Sequence, residues 1–128
     1  MNYELNPPIQ AKGILSGEDV VVLAVSDDGF FTFVYNEGSN VGKLRDSHSR
    51  DFVLTPSNVL LRAKLNRSGE LLGILALLPS ERVFAVYKSG ANAGKAAIFT
   101  YSEITLDTFF WSEAPESLLQ YGEHPQDA

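Results

Sequence analysis

The chain carries part of its own sequence twice. Residues 11–43 (AKGILSGEDVVVLAVSDDGFFTFVYNEGSNVGK) align without a gap on residues 63–95 (AKLNRSGELLGILALLPSERVFAVYKSGANAGK), an offset of 52, and thirteen of the 33 pairs are identical. About two identities would be expected between unrelated stretches of ordinary composition. The same local rules must fold both copies, so an element proposed for one can be checked against the other.

The repeated unit reads as strand, turn, strand, turn, strand. Val20 to Ser26 is an apolar, β-branched run, Asp27-Asp28-Gly29 supplies a tight turn, and Phe30 to Asn36 returns as a strand. In the second copy the pattern predicts strands over Leu72 to Leu78 and Val83 to Lys88 around a turn at Pro79 to Arg82. The turn residues differ while the spacing holds, which keeps the pairing register and frees the tip to vary. Each hairpin leads into a glycine-framed turn, Gly38 to Gly42 or Gly90 to Gly94.

After the shared Lys43 and Lys95 the identity stops. Leu44 to Arg50 (LRDSHSR) is polar and reads as a loop or long hairpin tip, followed by a strand at Asp51 to Thr55. The second copy passes directly into a strand at Ala96 to Tyr101 and reads as about seven residues shorter, with Thr55 to Leu61 laid on Thr100 to Leu106. On this reading the first copy alone carries an insertion. Val59 to Leu65 reads as one strand joining the copies without a linker, so the fold expected is one compact unit of two tightly packed halves. The expected divisions are residues 9–61 for the first β repeat and 62–107 for the second. An aromatic segment with a short helix follows at 108–122, and a disordered tail at 123–128.

In its order of an aromatic-rich hairpin, a Gly turn and a short helical turn at Pro56-Ser57-Asn58 before the last strand, the unit resembles Src-homology-3-like or tudor-like small barrels. The resemblance spans Gly17 to Leu61 and, more weakly, Gly69 to Leu106. It implies an all-β fold, an internally duplicated small β-barrel with its halves about a pseudo-twofold axis. Phe30-Phe31 and Arg82-Val83 stand where peptide-binding members carry a tryptophan pair, so peptide recognition is not carried over.

Beyond the repeat, Thr108 to Tyr121 holds the only Trp and the run Phe109-Phe110-Trp111. Ser112 followed by Glu113 and Glu116 predicts a short helix over Ala114 to Tyr121. This segment would plug an end of the barrel or mark a homo-oligomer contact. Composition narrows the rest. The net charge of −6 disfavours binding to nucleic-acid backbones, which takes clustered Lys and Arg. The absence of cysteine removes disulfides and thiolate chemistry. Met1 to Ile9 lack a secretory pattern and no apolar run reaches membrane-spanning length, so a soluble, cytoplasmic protein is expected, with no cofactor.

Several residue sets bear on function. Gly38 to Lys43 (GSNVGK) and Gly90 to Lys95 (GANAGK) miss the phosphate-loop pattern, having three residues between the glycines and no Ser or Thr after the lysine. Their glycines and asparagines suit turn geometry instead. Tyr35, Asn40 and Lys43, with Tyr87, Asn92 and Lys95, are kept in both copies and form a candidate site for a small anionic ligand. The stretch Arg45 to Asp51 gathers His48 with Asp46, Asp51, Ser47 and Ser49. Sequence neighbours on a loop lack the geometry of a catalytic triad, so Arg45, Asp46, His48 and Arg50 are candidate partner contacts, together with Phe109, Phe110 and Trp111. The reading reached is a non-enzymatic binding protein of inhibitor, immunity or accessory type with an unidentified protein partner. The rival is a small-ligand binder or enzyme built on the paired Tyr, Asn and Lys positions.

Overall fold

The structure, a computed structural model, describes residues 2–55 and 59–106. It is all-β and divides into two compact units, residues 94–97 clustering with the first. Each unit is built on a five-stranded antiparallel sheet. In the first the order is β4-β3-β2-β1-β5, with β1 Asn2–Gly13, β2 Asp19–Ser26, β3 Phe30–Tyr35, β4 Leu44–His48 and β5 Phe52–Leu54. In the second it is β10-β6-β7-β8-β9, with β6 Leu61–Leu65, β7 Leu71–Leu78, β8 Arg82–Tyr87, β9 Ala96–Thr100 and β10 Ile104–Leu106. A 3-10 turn precedes the last strand of each, at Ser49–Asp51 and Tyr101–Glu103.

The offset of 52 runs through all of these elements from β2 onward, well past the end of sequence identity. β4 maps onto β9, Ser49–Asp51 onto Tyr101–Glu103, and β5 onto β10, without a gap. The hydrogen bonds repeat as well. The Ile14 and Asn66 amides donate to the Asp51 and Glu103 carbonyls, and the Ser49 and Tyr101 amides donate to the Gly29 and Glu81 carbonyls. A β-bulge falls between Val22 and Ala24 in one unit and between Ile74 and Ala76 in the other. The bulges coincide with the identical pairs Leu23/Leu75 and Ala24/Ala76, where one strand must absorb an extra residue.

Several expectations are corrected. There is no insertion in the first copy: Leu44 to His48 is a strand paired in register with β3, from Val34↔Leu44 to Phe30↔His48. Thr55 to Leu61 is therefore not the counterpart of Thr100 to Leu106; Phe52–Leu54 is the counterpart of Ile104–Leu106. β6 starts at Leu61, so Val59 and Leu60 stand outside the strand although the Leu60 amide reaches the Ile74 carbonyl. β1 has no counterpart among the strands expected from the sequence. Its Pro7 and Pro8, which lack amide donors, sit where its pairing with β2 is interrupted, between Glu4 and Ile9. The expected helical turn at Pro56-Ser57-Asn58, the helix at Ala114 to Tyr121 and the Phe109-Phe110-Trp111 run lie outside the described residues. Among the described residues no helix is long and apolar enough to cross a membrane.

Each unit has its own core from alternate strand residues: Ala11, Val20, Val22, Phe31, Phe33, Phe52 and Leu54 in the first, Ala63, Leu72, Ile74, Val83, Ala85, Ile104 and Leu106 in the second. The bulk is distributed differently. Three phenylalanines of the first unit, Phe31, Phe33 and Phe52, correspond by the offset to Val83, Ala85 and Ile104 in the second. Conversely, Gly13, Val20 and Ser47 correspond to Leu65, Leu72 and Phe99, all three buried.

Candidate functional site

The consequence of that exchange is a cavity in the first unit. Its volume is about 320 Å³, and Gly13, Val20 and Ser47, the three positions made small, all line it. This is at the lower end of the range for ligand pockets, about 300–1,000 Å³.

One wall is the β1–β2 turn, which contributes Leu15 and Ser16. Gly17 takes a φ of 68°, the Gly17 amide donates to the Gly13 carbonyl, and the Ser16 hydroxyl accepts from the Glu18 amide at 3.2 Å. The Ile14 amide, donating to the Asp51 carbonyl at 2.8 Å, ties this turn to the 3-10 turn. The anchoring leaves Leu15 at the tip, 99% exposed.

The opposite wall is β4. Arg45 and Ser47 pair with Phe33 and Phe31, so they share the core-facing side of the sheet with those rings. The floor is aromatic: Phe33 meets Phe52 edge to face at 4.9 Å and Tyr35 at 5.4 Å. The Arg45 guanidinium carbon lies 5.9 Å from the centre of the Tyr35 ring, within cation–π range. Asp51 accepts from the Ser47 hydroxyl at 2.7 Å, whereas the Asp46 carboxylate, which accepts from the Thr32 hydroxyl at 2.9 Å, lies on the opposite face of the sheet from Arg45 and Ser47. The site is thus a well with an aromatic floor and a rim that carries one cation, Arg45, and one anion, Asp51.

The second unit closes the same place. Phe99 stands where Ser47 does and meets Tyr87 edge to face at 5.8 Å. Arg67 stands where Leu15 does and forms an ion pair with Glu103 at 3.6 Å. The Asn66 side chain donates to the Ser102 carbonyl at 3.2 Å and accepts from the Thr105 hydroxyl at 2.5 Å. There the turn is clasped to the 3-10 turn by side chains, which the first unit lacks because it has Ile14 and Leu15 instead.

The candidate residues separate accordingly. Tyr35, Arg45 and Asp46 are brought together in the cavity lining, whereas Asn40, Lys43, His48 and Arg50 are not part of it. The Asn40 carbonyl accepts from the Lys43 amide, and the Lys43 carbonyl from the Tyr35 amide, so their backbones build the turn. Positive φ at Gly38 and Gly90 accounts for the glycines kept in both copies, while these main-chain bonds ask for no particular side chain at Asn40 or Lys43. Lys43, Asn92 and Lys95 are exposed. His48 caps the 3-10 turn: its Nδ1 accepts from the Arg50 amide at 3.1 Å and its ring lies edge-on to Phe30 at 5.2 Å. Ser47, meanwhile, bonds to Asp51, so Ser47, His48 and an aspartate do not assemble as a relay. Arg50 is exposed, and Phe109, Phe110 and Trp111 lie outside the described residues.

Residue types alone did not single out Gly13, Leu15, Val20, Phe33 or Phe52. The available signal was the offset itself: carried past Lys43, it pairs Ser47 with Phe99 and shows a core aromatic replaced by a hydroxyl. Among the described residues no group of three or more His, Cys, Asp or Glu side chains is placed to hold a metal ion. No protein-family model matches the chain, and no curated protein is significantly similar to it.

Proposed function

We propose that the protein is a non-enzymatic binding protein of intracellular inhibitor, immunity or accessory type, and that its first unit recognises a protein partner through the cavity between the β1–β2 turn, β4 and the 3-10 turn. The observation that carries this reading is internal. One copy of the fold fills this place with Phe99, Leu65 and Leu72, and the other keeps it open behind a fully exposed Leu15. Filling an apolar hollow stabilises a small domain, so an open one with an apolar lip is consistent with selection for binding.

In this reading each unit is a small Src-homology-3-like barrel. The strand order, with the last strand beside the first, and the 3-10 turn before that last strand support the assignment. The rival, a small anionic ligand held by the paired Tyr, Asn and Lys positions, has less support. Asn40 and Lys43 are absent from the cavity lining.

The test compares capture by the immobilised wild-type protein and by Ser47→Phe, which rebuilds in the first unit the plug of the second. A partner held by the wild type should be lost from the folded variant. Equal capture by both would remove the cavity from the binding surface.

A further inference from the structure

We infer that a second copy of the chain docks antiparallel along the open edge of β4, about a two-fold axis at Ser47, so that Asp46 of each copy stands opposite His48 of the other. The inference goes beyond the cavity and does not rest on its occupant, because Asp46 and His48 lie on the sheet face away from Arg45 and Ser47.

The first unit's sheet has two edges, and they are not alike. At one of them the Leu54 amide of β5 donates to the Gly94 carbonyl at 2.7 Å, and residues 94–97 belong to the same compact unit. At the other, β4 pairs with β3 alone. The Tyr35 amide donates to the Lys43 carbonyl at 3.1 Å and the Ser49 amide to the Gly29 carbonyl at 2.9 Å, which sets the main-chain groups of the odd-numbered residues towards β3. Those of Leu44, Asp46 and His48 therefore point away from β3, and among the described residues nothing pairs with them. An edge of this kind is a template for another strand.

Charge selects the strand. Charged side chains on an edge turn most strands away, but β4 complements itself in one register. A two-fold axis at Arg45 sets arginine opposite arginine, and an axis at Asp46 sets aspartate opposite aspartate, both destabilising. An axis at His48 leaves a single outward pair, because the strand ends there. An axis at Ser47 makes two outward pairs, each of Asp46 with His48. The hydrogen-bonding groups of that pair are complementary too. His48 Nδ1 accepts from the Arg50 amide, so in the neutral ring Nε2 carries the proton and donates. Asp46 uses one acceptor position on the Thr32 hydroxyl and keeps others. Because Phe30 pairs with His48 and Thr32 with Asp46, the outer face across the axis becomes one continuous row: Phe30 and His48 of one copy, then Asp46 and Thr32 of the other. The counterpart strand β9 has Ile98 and Thr100 at these two positions and cannot form the pair.

The test is sedimentation of the full-length protein from about 10 µM to 1 mM, since two hydrogen-bonded residue pairs make a small and transient contact. The wild type should dimerise within this range. Asp46→His and His48→Asp each set like side chains opposite one another, and each should weaken dimerisation at least about tenfold. The double swap Asp46→His/His48→Asp rebuilds the pair in the reverse order and should restore it. Aspartate is itself a capping residue, so His48→Asp keeps the 3-10 turn. Hydrogen exchange of the wild type reads the register without any substitution: the Asp46 and His48 amides should slow as concentration rises, while the Leu44 amide, opposite the 3-10 turn of the second copy, should not. A protein that stays monomeric to about 1 mM would overturn the inference. So would a dimer that either single substitution leaves intact, a double swap that fails to recover what the folded single variants lost, or protection that spares Asp46 and His48.

Discussion

At the residue scale, the two copies solve one backbone problem with different side chains. The β2–β3 turn ends on Gly29 at φ 86°, while the β7–β8 turn places Ser80 and Glu81 at φ 65° and 55°. A side chain in the left-handed region costs about 1 kcal/mol relative to glycine. Glu81→Gly should therefore raise stability by about 0.5–1 kcal/mol in urea unfolding, and Gly29→Ala should lower it by about 1 kcal/mol or more. A destabilised Glu81→Gly would mean that its side chain makes a compensating contact. A second pair separates backbone strain from crowding. Gly42 and Gly94 have φ 85° and 88°, but a Cβ at Gly42 meets open space while one at Gly94 would fall 2.5 Å from the Val53 side chain. Gly94→Ala should cost about 1–3 kcal/mol more than Gly42→Ala. Equal losses would show that Val53 moves aside freely.

At the scale of elements, β4 explains where sequence reading stopped. Leu44-Arg45-Asp46-Ser47-His48 lacks the apolar alternation of an interior strand because it lies at one end of the strand order and rims an open cavity. Its counterpart Ala96–Thr100 shares no residue with it, so identity vanished where the backbone did not change. The hairpins β2–β3 and β7–β8 were legible because their inward faces are buried and their turns keep one length. β1 was not, since prolines ordinarily argue against a strand and only its pairing irregularity admits them. The 3-10 turns were hidden too, each being set by a capping side chain that differs between the copies. His48 caps the first, so His48→Ala should cost about 1 kcal/mol in urea unfolding while His48→Asn retains most of the stability. Equal losses for the two variants would assign the effect to the His48 ring against Phe30 and not to the cap.

At the scale of the whole molecule, duplication separates scaffold from site. What both copies keep, the Ser16-Gly17-Glu18 and Ser68-Gly69-Glu70 turns and the Gly-Asn-Gly frames, is held by main-chain bonds and positive φ, and Lys43 and Lys95 do not line the cavity. What they do not share is where one has a well and the other a plug. Tyr35, Arg45 and Asp46 could be named from sequence, but their convergence with Leu15 and Asp51 depended on the fold. The claim that one unit is open where the other is filled can be tested without any ligand, by equilibrium urea unfolding of the reciprocal variants Ser47→Phe and Phe99→Ser. Phe99→Ser should lose about 3–5 kcal/mol, as for other buried phenylalanines truncated in a core. Ser47→Phe should be neutral or gain about 1 kcal/mol as the ring enters the well. If Ser47→Phe instead destabilises the protein as much as Phe99→Ser, the first unit has no room for the ring and the open site does not exist.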